Sequence, residues 1–173
     1  LRYLYGYAPP ETVPEQVRNL RRALEKPSPR ASVSFLTPEA PWLDRELAWH
    51  AYYLQANAMH QDALEGRVVD QGSAYSMLHG ASGAHRDFAL FALPLTYLRP
   101  DLARDQLRFS MRSQDARTGA LPYAHIGFGK QSGAGVHAMS SDLDLFLLWA
   151  AAEYLGATHD FSLLEESIPF HPR

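Results

Sequence analysis

The stretch from His79 to Leu98, HGASGAHRDFALFALPLTYL, restricts what this chain can fold into more than any other. A turn containing Gly80 and Gly83 delivers a charged pair, Arg86 and Asp87, to the start of an almost wholly apolar segment. Glycine tolerates backbone angles that other residues avoid, so such a turn aims the next helix and its first side chains closely. Charges placed ahead of a buried helix predict a lined cavity rather than ordinary surface. The helix is expected from His85 to Leu98, with a kink at Pro94.

Around this stretch, 173 residues with 46% hydrophobic content suffice for one domain with a real core. The formal net charge of −3 supplies no basic field, which argues against nucleic acid or an anionic membrane surface as partner. No apolar run reaches the length of about 18 residues that spans a bilayer. The sequence has no cysteine, so it offers neither disulfides nor thiolate chemistry. A start at Leu1 without a signal-peptide pattern predicts a trimmed or excised piece of a longer protein, and a cytoplasmic one. Aromatics make up 12% of the chain. They fit either large core residues or a cleft that stacks on the apolar C–H faces of sugar rings.

In chain order, Leu1–Pro10 reads as an extended segment, followed by a helix from Thr12 to about Lys26 and a loop to Ser32. Thr37-Pro38 opens a helix reaching about Met59, with Leu43, Leu47, Ala51, Leu54 and Ala58 as a buried stripe widened by Trp42, Trp49 and Tyr53. His50 and His60 fall on or near that stripe and read as structural. From His60 to Gly83 no helical period is sustained. Arg67-Val68-Val69 is β-like there, and Asp70, Gln71, Ser73 and Tyr75 are polar groups expected to face the cavity. Pro100 starts an amphipathic, peripheral helix to about Arg112, with Leu102, Ala103, Leu107 and Met111 on one face. Ile126–Ser141 is a glycine-rich loop. Ser141 caps a buried helix from Asp142 to Leu155, with Asp144 completing a capping-box-like pair, and Asp160 starts one further turn.

Covered helices alternating with an amphipathic one suit concentric αα-hairpins, so the fold class expected is all-α, part of an (α/α)6 barrel with long glycine-rich loops and short β segments. The domain division expected is 1–32, an extended segment with a linker helix, and 33–173, the partial barrel. A closed barrel of twelve helices needs on the order of 300 residues or more. This chain is too short to close one.

Arg86-Asp87 is the leading site candidate. A guanidinium donates through a planar fork and a carboxylate accepts two hydroxyl protons, so the pair can fix a sugar's vicinal diol. A helix-start carboxylate favoured by the dipole, beside a surface charge, is the competing reading. Asp142 and Asp144 could supply the carboxylate pair of glycosidic cleavage, but residues two apart on a helix point in different directions. Capping accounts for Asp144 and leaves Asp142 open. IGFGKQSGAG with Lys130 lacks the spacings of phosphate-binding loops, and the eight histidines lack metal-ligand spacing.

Taken together, these segments resemble the six-hairpin (α/α)6-barrel glycosidases, and most of all glycoside hydrolase family 94, the cellobiose-phosphorylase-like enzymes. The resemblance is carried by Tyr5-Gly6-Tyr7, the helix around Trp49, the turn from Gly80 to Arg86-Asp87-Phe88, SDLDLFLLW (Ser141–Trp149) and THDFSLLEESIPF (Thr158–Phe170). Phe88 stands where the family has Gln, Phe91 where it often has Asp, and the family's "SDD" is spaced differently from Trp149. The resemblance implies part of an inverting glycoside phosphorylase or hydrolase acting on β-linked glucosides. By this resemblance Arg86 and Asp87 would hold the sugar at the cleavage site, with Asp142 or Asp144 near it; Gln71 and Tyr75 join the candidate set as polar groups expected to face the cavity. The family's general acid lies in a "DWND"-like motif that this sequence lacks, so no catalytic residue, metal or cofactor is expected here. The expected partners are an oligosaccharide or sugar, inorganic phosphate in the parent enzyme, and further copies of the chain. A non-catalytic helical module that self-associates is the alternative.

Overall fold

The computed structural model describes residues 36–61, 65–127, 130–132 and 140–170, with isolated helical positions at Pro14, Glu15, Val17, Arg18 and Arg22. Contacts divide the chain into two compact units, Leu1–Ser32 and Val33–Arg173. The extended segment expected at Leu1–Pro10 and the loop at residues 26–32 lie outside the described residues. The second unit is mainly helical with a few short strands.

Helix α1 spans Pro41–Ala56, with Pro at its first position, where a missing N–H costs nothing. It begins later than Thr37-Pro38 suggests because Thr37 forms a turn. Its hydroxyl donates to the Ala40 carbonyl at 2.9 Å and its N–H to Asp44 Oδ1 at 2.8 Å. Of the expected stripe only Ala51 is buried, while Leu43, Leu47, Leu54 and Ala58 are half-buried. Trp42, Trp49 and Tyr53 do not widen it; all three are exposed. His50 and His60 are exposed too, His50 lying 3.8 Å from Glu46.

The chain then forms β1 (Ala58–Gln61), paired antiparallel with β2 (Gly66–Val69). Val68 and Val69 are buried as the β-like reading requires. A seven-residue helix, α2 (Ser73–His79), lies between Gly72 (φ 95°) and Gly80 (φ 64°). It escapes the periodicity because it buries no residue: Met77 and Leu78 point to solvent.

Strand β3 (Gly83–Ala84) pairs with β4 (Ala124–Gly127), and β4 with β5 (Lys130–Ser132). Part of the expected glycine-rich loop is therefore strand. Its remainder, at 128–129 and 133–139, lies outside the described residues. Helices α3 (His85–Leu98) and α4 (Pro100–Arg112) have the expected bounds. The placement of α4 differs from expectation. It buries Leu102, Ala103, Gln106, Leu107, Phe109 and Ser110, packs on α3, β2 and α5, and is central rather than peripheral. Partners for several of its polar groups permit this. Gln106 Oε1 accepts the Val69 N–H at 2.8 Å, and Arg104 pairs with Asp160 and Glu166.

Helix α5 (Leu143–Thr158) buries only Leu143, Leu147, Ala150 and Tyr154. Leu145, Leu148 and Trp149 are exposed, so α5 is covered on one side, not all round. A short turn, α6 (Ser162–Glu165), follows. Among the described residues no helix is long and apolar enough to cross a membrane.

The glycine turn before α3 is a packing device. A Cβ added at Gly83 would stand 2.4 Å from Phe88 Cε1. Phe88 cannot yield, since it is fully buried against Val68 and Phe109. Burial of a Phe side chain contributes on the order of 2–3 kcal/mol, and overpacking costs about 1–3 kcal/mol. Gly83→Ala is expected to destabilise the protein by about 2 kcal/mol in denaturant unfolding; an unchanged midpoint would show that Phe88 relocates freely.

Candidate functional site

The five residues singled out as site candidates come together, from three separate parts of the chain. Backbone pairing sets the entry to α3: the Ser82 N–H donates to the His125 carbonyl at 2.7 Å and the His85 N–H to the Tyr123 carbonyl at 3.0 Å. This fixes where Arg86 and Asp87 leave the first turn of the helix.

Arg86 reaches across to the start of α5. Its Nη2 lies 2.7 Å from Asp142 Oδ2 and 3.0 Å from Oδ1. The Ser140 hydroxyl donates to the same Oδ1 at 2.7 Å. The Arg86 hydrogen bond first, and that of Ser140 second, hold the Asp142 carboxyl below the usual carboxylate range. The same ion pair raises the Arg86 pKa, and the guanidinium carbon sits 6.0 Å from the centre of the Phe146 ring.

The capping box expected at Ser141 and Asp144 does not form. The helix starts at Leu143, its N-cap is Asp142, and no side chain caps it. Asp142 turns its carboxylate to Arg86 instead, a charge-assisted bond that takes the place of a cap. Ser141 and Asp144 are both exposed.

Asp87 is half-buried, and burial raises its pKa. The Arg86 charge, its own backbone N–H and a hydrogen bond from Gln71 oppose that rise in turn. Gln71 Oε1 accepts the Ala84 N–H at 2.9 Å, so this side chain bridges the loop before α2 to the turn before α3. Tyr75, on α2, packs against His79 with ring centres 4.5 Å apart and the rings tilted by 35°. Its hydroxyl is buried, and burial first, then contact with the Tyr123 side chain, push its pKa up.

Two contributors, Tyr123 and Ser140, escape sequence reading because both lie in irregular segments without periodicity. The buried histidines are likewise not those on the helix stripe. They are His85 and His125, which both pack on Phe109, His85 stacked at 6.1 Å and His125 edge-on at 4.9 Å between ring centres. Lys130 lies on β5 rather than at a helix start, where an anion would be held. Chemically, the cluster offers guanidinium donors, a carboxylate acceptor, an amide and two phenols, a set suited to a polyhydroxylated ligand.

No family model matches the chain, and no curated protein or solved structure matches it either, so the functional reading rests on these side chains.

The electrostatics give a test. A raised pKa means that the folded state holds the Asp87 proton more tightly than the unfolded chain does. That contribution favours folding below about pH 4 and is lost as pH rises through the folded-state value. Asp142 and Asp160 have lowered values, and Asp101 is pulled down to about 2 by Arg99. They contribute above about pH 4 and fade as pH falls toward their folded-state values. Asp87→Asn is therefore expected to raise Tm at pH 7, with the gain disappearing near pH 3. A lower Tm at pH 7 would show that Asp87 is structural.

Proposed function

We propose that this chain is part of a cytoplasmic six-hairpin (α/α)6-barrel enzyme of the cellobiose-phosphorylase-like kind, an inverting glycoside phosphorylase or hydrolase acting on β-linked glucosides. In this reading the chain supplies part of the sugar-binding rim. The general acid and the phosphate-binding groups belong to other parts of the parent enzyme, so the isolated chain binds sugar without cleaving it.

The observation that supports this reading is the meeting of Gln71, Tyr75, Arg86, Asp87 and Asp142 at the N-terminal ends of α3 and α5. Arg86 spends one nitrogen on Asp142 and remains partly exposed, with side-chain exposure of 40%. Its other terminal nitrogen, Nη1, and the Asp87 acceptor can span neighbouring hydroxyls of one ring. Titration with cellobiose, followed by amide NMR, is expected to shift residues around 71–87 and 140–146. Arg86→Ala should weaken that binding at least tenfold, as loss of a charge-assisted hydrogen bond worth about 1.5–3 kcal/mol requires. Equal responses from both proteins would end the sugar-site reading.

The alternative reading, a non-catalytic helical module that self-associates, is favoured by the outward face of α5. Leu145, Leu148 and Trp149 are 66%, 68% and 53% exposed, at the spacing of one helix side. Sedimentation should then show a concentration-dependent oligomer that Leu148→Glu converts to monomer. A wild-type monomer at every concentration would remove this alternative.

A further inference from the structure

We infer that α3 and α5 carry a second binding site, for an organic cation. An alkylated ammonium head lies between Trp149, Tyr97 and Glu153, and its apolar arm lies in the cleft between α1 and α3. Trp149 and Tyr97 stand about two and three helical turns beyond Asp142 and Arg86. The site is therefore distinct from the cluster at the helix starts and independent of the sugar reading.

Helix spacing builds the head site. Residues four apart share a helix face, so Leu93 and Tyr97 of α3 stand together, as do Trp149 and Glu153 of α5. With Pro94 these two pairs line a cleft of about 310 Å³. Small-molecule sites occupy about 300–1,000 Å³. The Tyr97 hydroxyl donates to Glu153 Oε1 and ties the two helices across the cleft. That bond, first among its causes, raises the Tyr97 pKa, so the phenol remains a donor and steadies the carboxylate.

Charge selects the occupant. Around α3, α4 and α5, Asp142 is paired with Arg86, Asp105 with Arg67, and Asp160 and Glu166 with Arg104. Glu153 differs. Among the described residues no Lys, Arg or His lies within ion-pair distance of it, and its bond from Tyr97 is a neutral one. A half-buried carboxylate without a counter-charge, set between two aromatic residues, attracts a cation and repels an anion. Trp and Tyr rings add attraction for a cation within about 6 Å of their centres. Leu93 and Pro94 bring side chains without hydrogen-bonding atoms, which suit N-methyl groups better than hydroxyls.

Pro94 and Tyr97 also border a larger cleft of about 540 Å³, walled by Leu47, Ala51 and Leu54 of α1 and by Leu98. His50, on the same cleft, lies 3.8 Å from Glu46. The remaining walls are apolar. A hydrocarbon arm that crosses the shared border at Pro94 and Tyr97 leaves the charge beside Glu153 and buries itself against α1.

The test is an NMR titration of the full chain with hexyltrimethylammonium, following the Trp149 indole N–H, assigned by Trp149→Phe, and the methyls of Leu54 and Leu98. Tetramethylammonium, hexanol and hexyl sulfate serve as head-only, neutral and anionic controls. Hexyltrimethylammonium is expected to shift all three residues and to bind at least about tenfold more tightly than tetramethylammonium, which shifts Trp149 alone. Hexyl sulfate should leave Trp149 unmoved. Glu153→Gln keeps an acceptor for Tyr97 but loses the charge. It should weaken the cation about tenfold and leave hexanol binding unchanged, a split that a general loss of structure would not give. Trp149→Leu should weaken the cation about fivefold. Equal affinity of wild type for hexyltrimethylammonium and hexyl sulfate, or a Trp149 signal indifferent to both cations, would overturn the proposal whatever the variants do. So would a folded Glu153→Gln that binds the cation like wild type.

Discussion

The bond between Arg86 and Asp142 joins two helix starts that are 56 residues apart, and the candidate site exists only where they meet. Neither start has a side-chain cap: the N-cap positions are Ala84 for α3 and Asp142 for α5. Both helices thus point uncapped, partly positive ends toward the same place. A guanidinium there would be repelled by both dipoles unless a carboxylate accompanied it. Asp142 is that carboxylate, and its use as a tether explains why it is not used as a cap. The result favours acceptors at the site, whether from Asp87 or from a ligand.

Beneath the site, position depends on packing rather than charge. Phe88 lies against Phe109 with ring centres 5.4 Å apart and fills the space that Gly83 leaves open. On the far side, α4 is held by ion pairs to the segment after α5. Arg104 binds Asp160 at 2.7 Å, Arg108 binds Glu166 at 2.5 Å, and the Tyr154 hydroxyl also donates to Asp160 at 2.7 Å. Partly exposed pairs of this kind contribute little stability singly. Their value here lies in connectivity, since Asp160 joins α4, the last turns of α5 and Ser162 of α6 in one set of bonds. With α4 fixed, Gln106 can hold the edge of β2 through the Val69 N–H.

Sequence reading recovers what local chemistry determines. Pro100 and the apolar period mark α3 and α4 to the residue, and Arg67-Val68-Val69 is recognisable as strand. It fails where a distant partner decides. Ala58 continues the spacing of Leu54 and reads as helix, yet it pairs with Val69 across a hairpin. Ser141 and Asp144 carry a capping pattern, but the capping position goes to Asp142, whose true partner is Arg86. The residues of the site were legible one by one because glycine turns and helix starts announce them. Their mutual contacts were not, since Gln71 to Ala84 and Arg86 to Asp142 are tertiary bonds that no local pattern encodes.

The outward face of α5 links the two functional readings physically. Leu145 and Leu148 flank the turn of α5 that carries Phe146, and Phe146 lies under the Arg86 guanidinium. A helix apolar on all sides belongs inside a protein, and α5 is exposed along one of them. The Arg86 and Asp142 side chains are 40% and 37% exposed, so water screens their attraction. Covering α5, by a second copy or by further helices, would lower the dielectric around that pair and strengthen it. The same cover would deepen the burial that already raises the Asp87 pKa. Any affinity of this cluster for a polar ligand would therefore change with cover over α5. Oligomeric state and binding are best measured on the same samples, because a change in one alters the electrostatics that govern the other.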